Sequence, residues 1–292
     1  MASTPKPPQP WLLIPMGAAL LLLASPSGAY AGGWTQPEGG FYLKAWSRFI
    51  AGEDGFLDNG ETSALEGSYS DISLNLYGEY GLAEGWTLVG FTTPLGFASG
   101  HHPEGVDLDD SSAYIGNSWV GVRRALIGEG RLRLAVEAHY GYAPAVGDEA
   151  VASGISDEGR PYVYTPTVEA QRLDGELQVG YSLPSNMWLV AHGGYRHLFS
   201  DVDLDPVVYG FGQYGWSGES LVLDVHANLV EPLGDVTVTN VAGTGQTRYL
   251  GIGVGASYWL TPHFGANIGA EGAAYAESNA ATLSLAVGVE LR

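Results

Sequence analysis

A chain of 292 residues has room for one large β-domain or two ordinary ones. It holds no cysteine, which excludes disulfides, thiolate metal sites, a cysteine nucleophile and a lipidated cysteine anchor. Its formal net charge of −20, without any basic patch, excludes nucleic acid as a partner, because phosphates require clustered Lys and Arg.

The chain opens on a pattern of export. Lys6 supplies a positive start, Trp11 to Ala24 an apolar core, and Ala29-Tyr30-Ala31 a cleavage site. This predicts a secretory signal over 1–31 and a mature domain over 32–292. The other reading, a membrane helix, is disfavoured because the apolar run is short and small residues follow it. No later stretch has the ~18 uninterrupted apolar residues that a spanning helix needs.

From Phe41 onward apolar residues alternate with polar ones, the period of a two-faced strand. The first strand, Phe41 to Ile50, puts Phe41, Leu43, Ala45 and Phe49 on one face and Lys44, Trp46 and Arg48 on the other. Residues 51–67, rich in Glu and Asp, are expected to form a long loop. Strands two and three make a hairpin over 72–91, with Ile72, Leu74 and Leu76 alternating with Ser73 and Asn75, and Ala83-Glu84-Gly85 as the turn. A second acidic loop is expected over 98–112. Strand four runs from Tyr114 to Ala125. In strand five, from Arg131 to Tyr142, Leu132, Leu134, Val136 and Ala138 oppose Arg131, Arg133, Glu137 and His139. The longest loop is expected near 144–166.

Strand six sets Leu173, Leu177, Val179 and Tyr181 against Arg172, Asp174, Glu176 and Gln178, and strand seven sets Leu189 and Tyr195 against His192 and Arg196. Strand eight, Val207 to Trp216, is aromatic on both faces and has no readable orientation. Strand nine opposes Leu223, Val225 and Leu229 to Asp224, His226 and Asn228. Strands ten to twelve continue the rhythm, with Glu271 on the polar face of the eleventh.

A motif of Tyr-x-Leu, three turn residues and a large apolar residue recurs at Tyr80, Tyr181 and Tyr258. Connections after even-numbered strands are short. Most of those after odd-numbered strands are long and acidic. The pattern predicts an all-β, antiparallel transmembrane β-barrel of about twelve strands, with ten or fourteen as alternatives, short periplasmic turns and long acidic extracellular loops. A secreted β-sandwich would also alternate, but its strands are usually shorter, at ~5–6 residues.

The polar faces define a candidate lumen: Lys44, Arg48, Asp71, Glu79, Arg131, Arg133, Glu137, His139, Arg172, Asp174, Glu176, His192, Arg196, Asp224, His226 and Glu271. Two readings stand open. One is a polar path with a selective constriction, the other a plug of ion pairs closing the barrel. An enzyme is not expected. His226 lies near Asp224 and Asn228, but no serine aligns with them as a hydrolase triad needs. His101-His102 with Glu104 or Asp107 could hold a metal, and Asp201-x-Asp203-x-Asp205 has the opening spacing of a calcium loop without its Gly and distal Glu. Solvated acidic loops, or loops bridged by divalent cations to lipopolysaccharide, are the plainer readings. No cofactor is expected.

Several segments resemble a known family. Gly33-Trp-Thr-Gln-Pro37 with Gly39-Gly-Phe-Tyr-Leu-Lys44, then Leu76-Tyr-Gly-Glu-Tyr-Gly-Leu-Ala83, Thr93-Pro94-Leu95 and Gly116-Asn-Ser-Trp-Val-Gly-Val-Arg123 resemble the meta-pathway phenol degradation-like outer-membrane transporter family. Asn117 stands where an Asp is common there, and the similarity is best over 33–135. The chain ends Val289-Glu-Leu-Arg292 without the terminal aromatic that barrel-assembly machinery commonly reads. The resemblance implies an outer-membrane barrel passing small, often aromatic or apolar, compounds, with membrane lipid, lipopolysaccharide and the assembly machinery as partners. The rival expectation is a non-transporting surface protein acting through its acidic loops.

Overall fold

The structure, a computed structural model, describes residues 34–57, 60–100, 111–144, 152–155, 161–164, 169–200, 204–234, 248–277 and 279–292. The signal sequence, His101-His102 and the Asp201–Asp203 pair lie outside them. The strands in chain order are β1 (Phe41–Phe56), β2 (Thr62–Ala83), β3 (Trp86–Gly100), β4 (Ser111–Tyr114), β5 (Ser118–Ile127), β6 (Leu132–Ala143), β7 (Ala152–Ile155) and β8 (Pro161–Tyr164). They continue as β9 (Ala170–Ser182), β10 (Met187–Phe199), β11 (Val207–Ser217), β12 (Leu221–Pro232), β13 (Tyr249–Trp259), β14 (Phe264–Ala276) and β15 (Asn279–Leu291).

Thirteen of these pair in one antiparallel sheet, which β1 closes by pairing with both β2 and β15. Because β4 and β5 lie end to end along β3, the thirteen make a closed barrel of twelve staves. Closure leaves no unpaired edge, the condition for crossing a bilayer with strands. The outer surface is apolar, with Leu74, Leu76, Leu88, Val225, Ile252, Val254, Leu285 and Val287 all exposed. Trp86, Tyr181, Trp216, Tyr258 and Phe264 ring the short-turn end, at the level where amphipathic aromatics meet a membrane interface.

Two expectations are corrected. Residues 51–67 are not a long loop. β1 continues to Phe56 and β2 starts at Thr62, and next to them Leu57 N donates to Glu61 O (2.8 Å) and Gly60 takes φ +77°. β2 is therefore 22 residues long, twice the ~9–11 that cross a bilayer. In this projecting part the faces exchange roles. Ile50, Leu65, Tyr69, Ala98 and Tyr114 form a buried apolar cluster inside, while Thr62, Ser68 and Ser70 are exposed. The exchange falls at Asp71–Ile72. Below it the outside meets lipid; above it the outside meets water.

The second correction concerns the stave 114–125, which is broken at 115–117. The break lies across from Thr93-Pro94, where proline has no N–H for the ladder. Thr93 instead exchanges bonds with Gly116 (2.8 Å) and Asn117 (3.1 Å).

The turns at 84–85, 128–131, 183–186, 218–220 and 260–263 are all short, as expected. At the other end the β6–β9 connection carries the small β7–β8 hairpin, and β8 reaches across to pack on β1, β2, β3 and β15.

Candidate functional site

The lumen is built unevenly, and the inward positions of the strands explain why. On β13 the inward residues include Gly251, Gly253, Gly255 and Ser257; on β14 Gly265, Asn267 and Gly269; on β15 Ser284, Ala286 and Gly288. On β2, β5, β6 and β9 they include Tyr77, Glu79, Trp119, Arg123, Glu137, His139, Arg172, Asp174, Glu176 and Gln178. Small side chains leave space on one wall. Large charged ones fill the other.

The filled side is an ion-pair network. Arg123 donates to Glu79 (Nη1–Oε1, 2.9 Å) and to Glu137 (Nε–Oε2, 2.5 Å), and all three side chains are buried. Glu137 also contacts His139 and accepts from Gln178 Nε2 (2.8 Å). Asp174 holds Arg172 (2.5 Å) and Arg196 (2.8 Å), and Glu176 meets His192 (3.2 Å) and the Tyr209 hydroxyl (3.1 Å). A fully buried ion is tolerable only when paired and hydrogen-bonded in this way.

The segment before β1 enters the same network. Gln36 Nε2 donates to Glu79 Oε2 (2.6 Å), its backbone N–H donates to Thr87 (2.8 Å), and Trp34 O accepts from Arg123 (3.0 Å). Two glycines make room for it. A Cβ at Gly81 would stand 1.8 Å from Pro37 O, and one at Gly180 2.4 Å from the Trp34 ring. Residues 34–37 thus form a strap inside the short-turn mouth.

The open side is a cavity of about 600 Å³ along β1 and β11–β15. Asp224 and His226 lie flat over Gly255 and Gly253, where an added Cβ would meet them at 2.4 and 2.3 Å. His226 faces Asp224 through Nδ1 (2.9 Å) and Glu271 through Nε2 (3.3 Å). With carboxylates on both ring nitrogens, this histidine has no nitrogen free to activate a serine. Glu271 also accepts from Asn228 (2.5 Å) and Tyr249 (2.6 Å). Lys44 stands 3.8 Å from Glu290 and 5.4 Å from the Trp46 ring centroid.

Of the sequence-derived set, Glu79, Glu137, His139, Arg172, Asp174, Glu176 and His192 share the packed network, and Arg196 joins it to the cavity. Lys44, Arg48, Asp224, His226 and Glu271 line the cavity. Asp71 lies higher, accepting from Tyr114 (2.6 Å). Arg133 is half-buried on the inward register beside Gly180, and its Nη1 has no partner. Arg131 is not brought in; it stands exposed in the turn before β6.

Sequence reasoning missed Arg123, the centre of the network, because the adjacent Arg123-Arg124 pair hides which one faces inward. It also missed Gln36 and Glu290. β11, unreadable from sequence, turns Tyr209, Phe211 and Gln213 inward and Tyr214 and Trp216 outward.

Glu137, His139 and Glu176 offer ligand atoms within 4.8 Å of one another, a geometry that could hold a metal ion. Glu137 is already shared by Arg123 and Gln178, so a cation there would have to break the buried ion pair.

No protein-family model and no curated protein sequence matches the chain. Among solved structures, it is similar to an outer-membrane channel from Pseudomonas putida F1, with a TM-score of 0.67 and 11% identity over 91% of this chain and 99% of that one. The NanC porin is similar at a TM-score of 0.53 and 10% identity, over 86% and 99%. At these identities the likeness is one of fold.

Proposed function

We propose that the protein is an outer-membrane channel for small molecules. The cavity along β1 and β11–β15 carries this reading. It is a space of mixed polar and apolar lining on the inner face of a closed barrel whose outer face is apolar, kept open by small inward residues on three strands. A purely structural barrel of this size gains nothing by leaving out side chains there, since packed interiors are the more stable state. That the two structures of similar fold are an outer-membrane channel and a porin supports this reading, as do the motifs resembling the meta-pathway phenol degradation-like transporters. In this reading residues 1–31 direct export, the assembly machinery inserts the barrel, and lipid and lipopolysaccharide surround it. The packed half of the lumen and the 34–37 strap narrow the path to one side, so passage is selective rather than that of a wide pore.

The test is single-channel recording of the protein from Gly32 in planar bilayers, after heat-modifiable gel mobility has shown a folded barrel. Discrete conductance steps that change when Glu271 or Lys44 is substituted support the reading. A folded, inserted protein that passes neither ions nor small solutes in liposome swelling overturns it.

A further inference from the structure

The cavity's hydrogen-bonding groups are unequally satisfied, and this points to the charge of what it holds. Its acids have partners. Asp224 meets His226 (2.9 Å), Glu271 meets Asn228, Tyr249 and His226 (2.5, 2.6 and 3.3 Å), and Glu290 accepts from Ser257 (3.0 Å). Two of its donors on the facing strands do not. Arg48 makes no ion pair with any described residue, and its buried Nε has no partner. Asn267 is 7% exposed and its Nδ2 is likewise unpartnered. Lys44 is loosely held, 3.8 Å from Glu290 and 5.4 Å from the Trp46 ring centroid. Among the described residues that line the cavity, the one unpartnered buried acceptor is the neutral Gln213 Oε1; the unpartnered Asp71 Oδ1 lies above the cavity. Around these donors stand the apolar surfaces of Trp46, Ile50 and Phe211.

From this arrangement, and resting on the channel reading above, we infer that the cavity binds a small organic anion, a monocarboxylate with a compact apolar body. Its carboxylate takes the Arg48 guanidinium and the Asn267 amide, which sit on β1 and β14 with only the small Ala286 and Gly288 of β15 between them. Its apolar part lies against Trp46 and Phe211. The buried Arg48 Nε and the buried Asn267 amide are left without acceptors, and a carboxylate supplies them with a charged acceptor while a cation or neutral solute does not. The volume, about 600 Å³, falls within the ~300–1,000 Å³ of small-molecule sites. The anion preference runs against the chain's own net charge of −20, which by itself would favour cations.

The experiment is calorimetric titration of the folded, detergent-solubilised barrel with benzoate, benzyl alcohol and benzylamine, three probes of one shape and different charge. Benzoate is expected to bind, and benzylamine and benzyl alcohol to bind at least about tenfold more weakly. Arg48→Gln is expected to weaken benzoate by about tenfold or more, and Asn267→Ala by less, with heat-modifiable mobility unchanged. If Arg48→Gln does not fold, the wild-type ranking of the three probes and Asn267→Ala decide the matter. Equal binding of the three probes, no benzoate binding, or an affinity unmoved by the substitutions overturns the site. Binding without conductance would refute the channel reading and keep the site; conductance without a benzoate preference would do the reverse.

Discussion

Glu79 and Arg123 meet at 2.9 Å across β3, both almost wholly withdrawn from solvent, and the strap residue Gln36 bonds the same carboxylate at 2.6 Å. One carboxylate on β2 therefore ties together β5, β6 through Glu137, and the segment that precedes the barrel. Removing Arg123 strands both carboxylates without their shared cation, whereas removing Glu79 leaves Arg123 its pair with Glu137.

Arg123→Gln, which takes the cation from both Glu79 and Glu137, is expected to destabilise the barrel by about 3–5 kcal/mol. The double variant Glu79→Gln with Arg123→Gln is expected to lose less than the two single losses added together. Urea titration of the heat-modifiable band reads both. A purely additive pair would show that the charges are not coupled.

The strap narrows the short-turn mouth without belonging to the sheet. Replacing Trp34 and Gln36 together by Ala is expected to raise single-channel conductance while leaving the folded band in place. Unchanged conductance would mean that the path does not pass the strap.

The cavity exists because β13–β15 present small residues inward. Gly269 has room, since an added Cβ would stand 3.4 Å from the nearest backbone atom. Gly269→Phe is expected to fill the cavity and lower conductance severalfold, whereas Val254→Phe on the outer face leaves it unchanged. Equal currents in the two variants would place the path elsewhere.

The exchange of faces at Asp71–Ile72 locates the membrane boundary on β2. Leu76→Arg puts a charge into lipid and is expected to cost about 2–4 kcal/mol. Ser70→Arg, six residues toward the projecting hairpin on the same face, is expected to cost almost nothing. Refolding yield into vesicles over a urea series measures the contrast, and equal losses would move the boundary.

The sequence by itself determined the barrel. A period of two is local, and a one-residue slip on β1 would turn Lys44 and Arg48 toward lipid, so alternation and register are set strand by strand. Turn lengths between those strands then gave the count and the direction. Where the solvent outside changes from lipid to water the same rule inverts, which is why 51–56 and 62–67 read as loop although they are strand. β11 could not be oriented because aromatics suit both a lumen wall and a membrane girdle; only the neighbours Glu176, His192 and His226 decide that Tyr209 and Phe211 turn inward. Tertiary structure alone decided which charges meet. Glu79, Arg123 and Glu137 come from three strands, Arg123 lying 44 residues from Glu79 and 14 from Glu137, and no periodicity encodes which inward side chain lies beside which. It also decided that one half of the lumen is packed and the other open, because the volume enclosed depends on side chains facing one another across the closed ring rather than along any one strand.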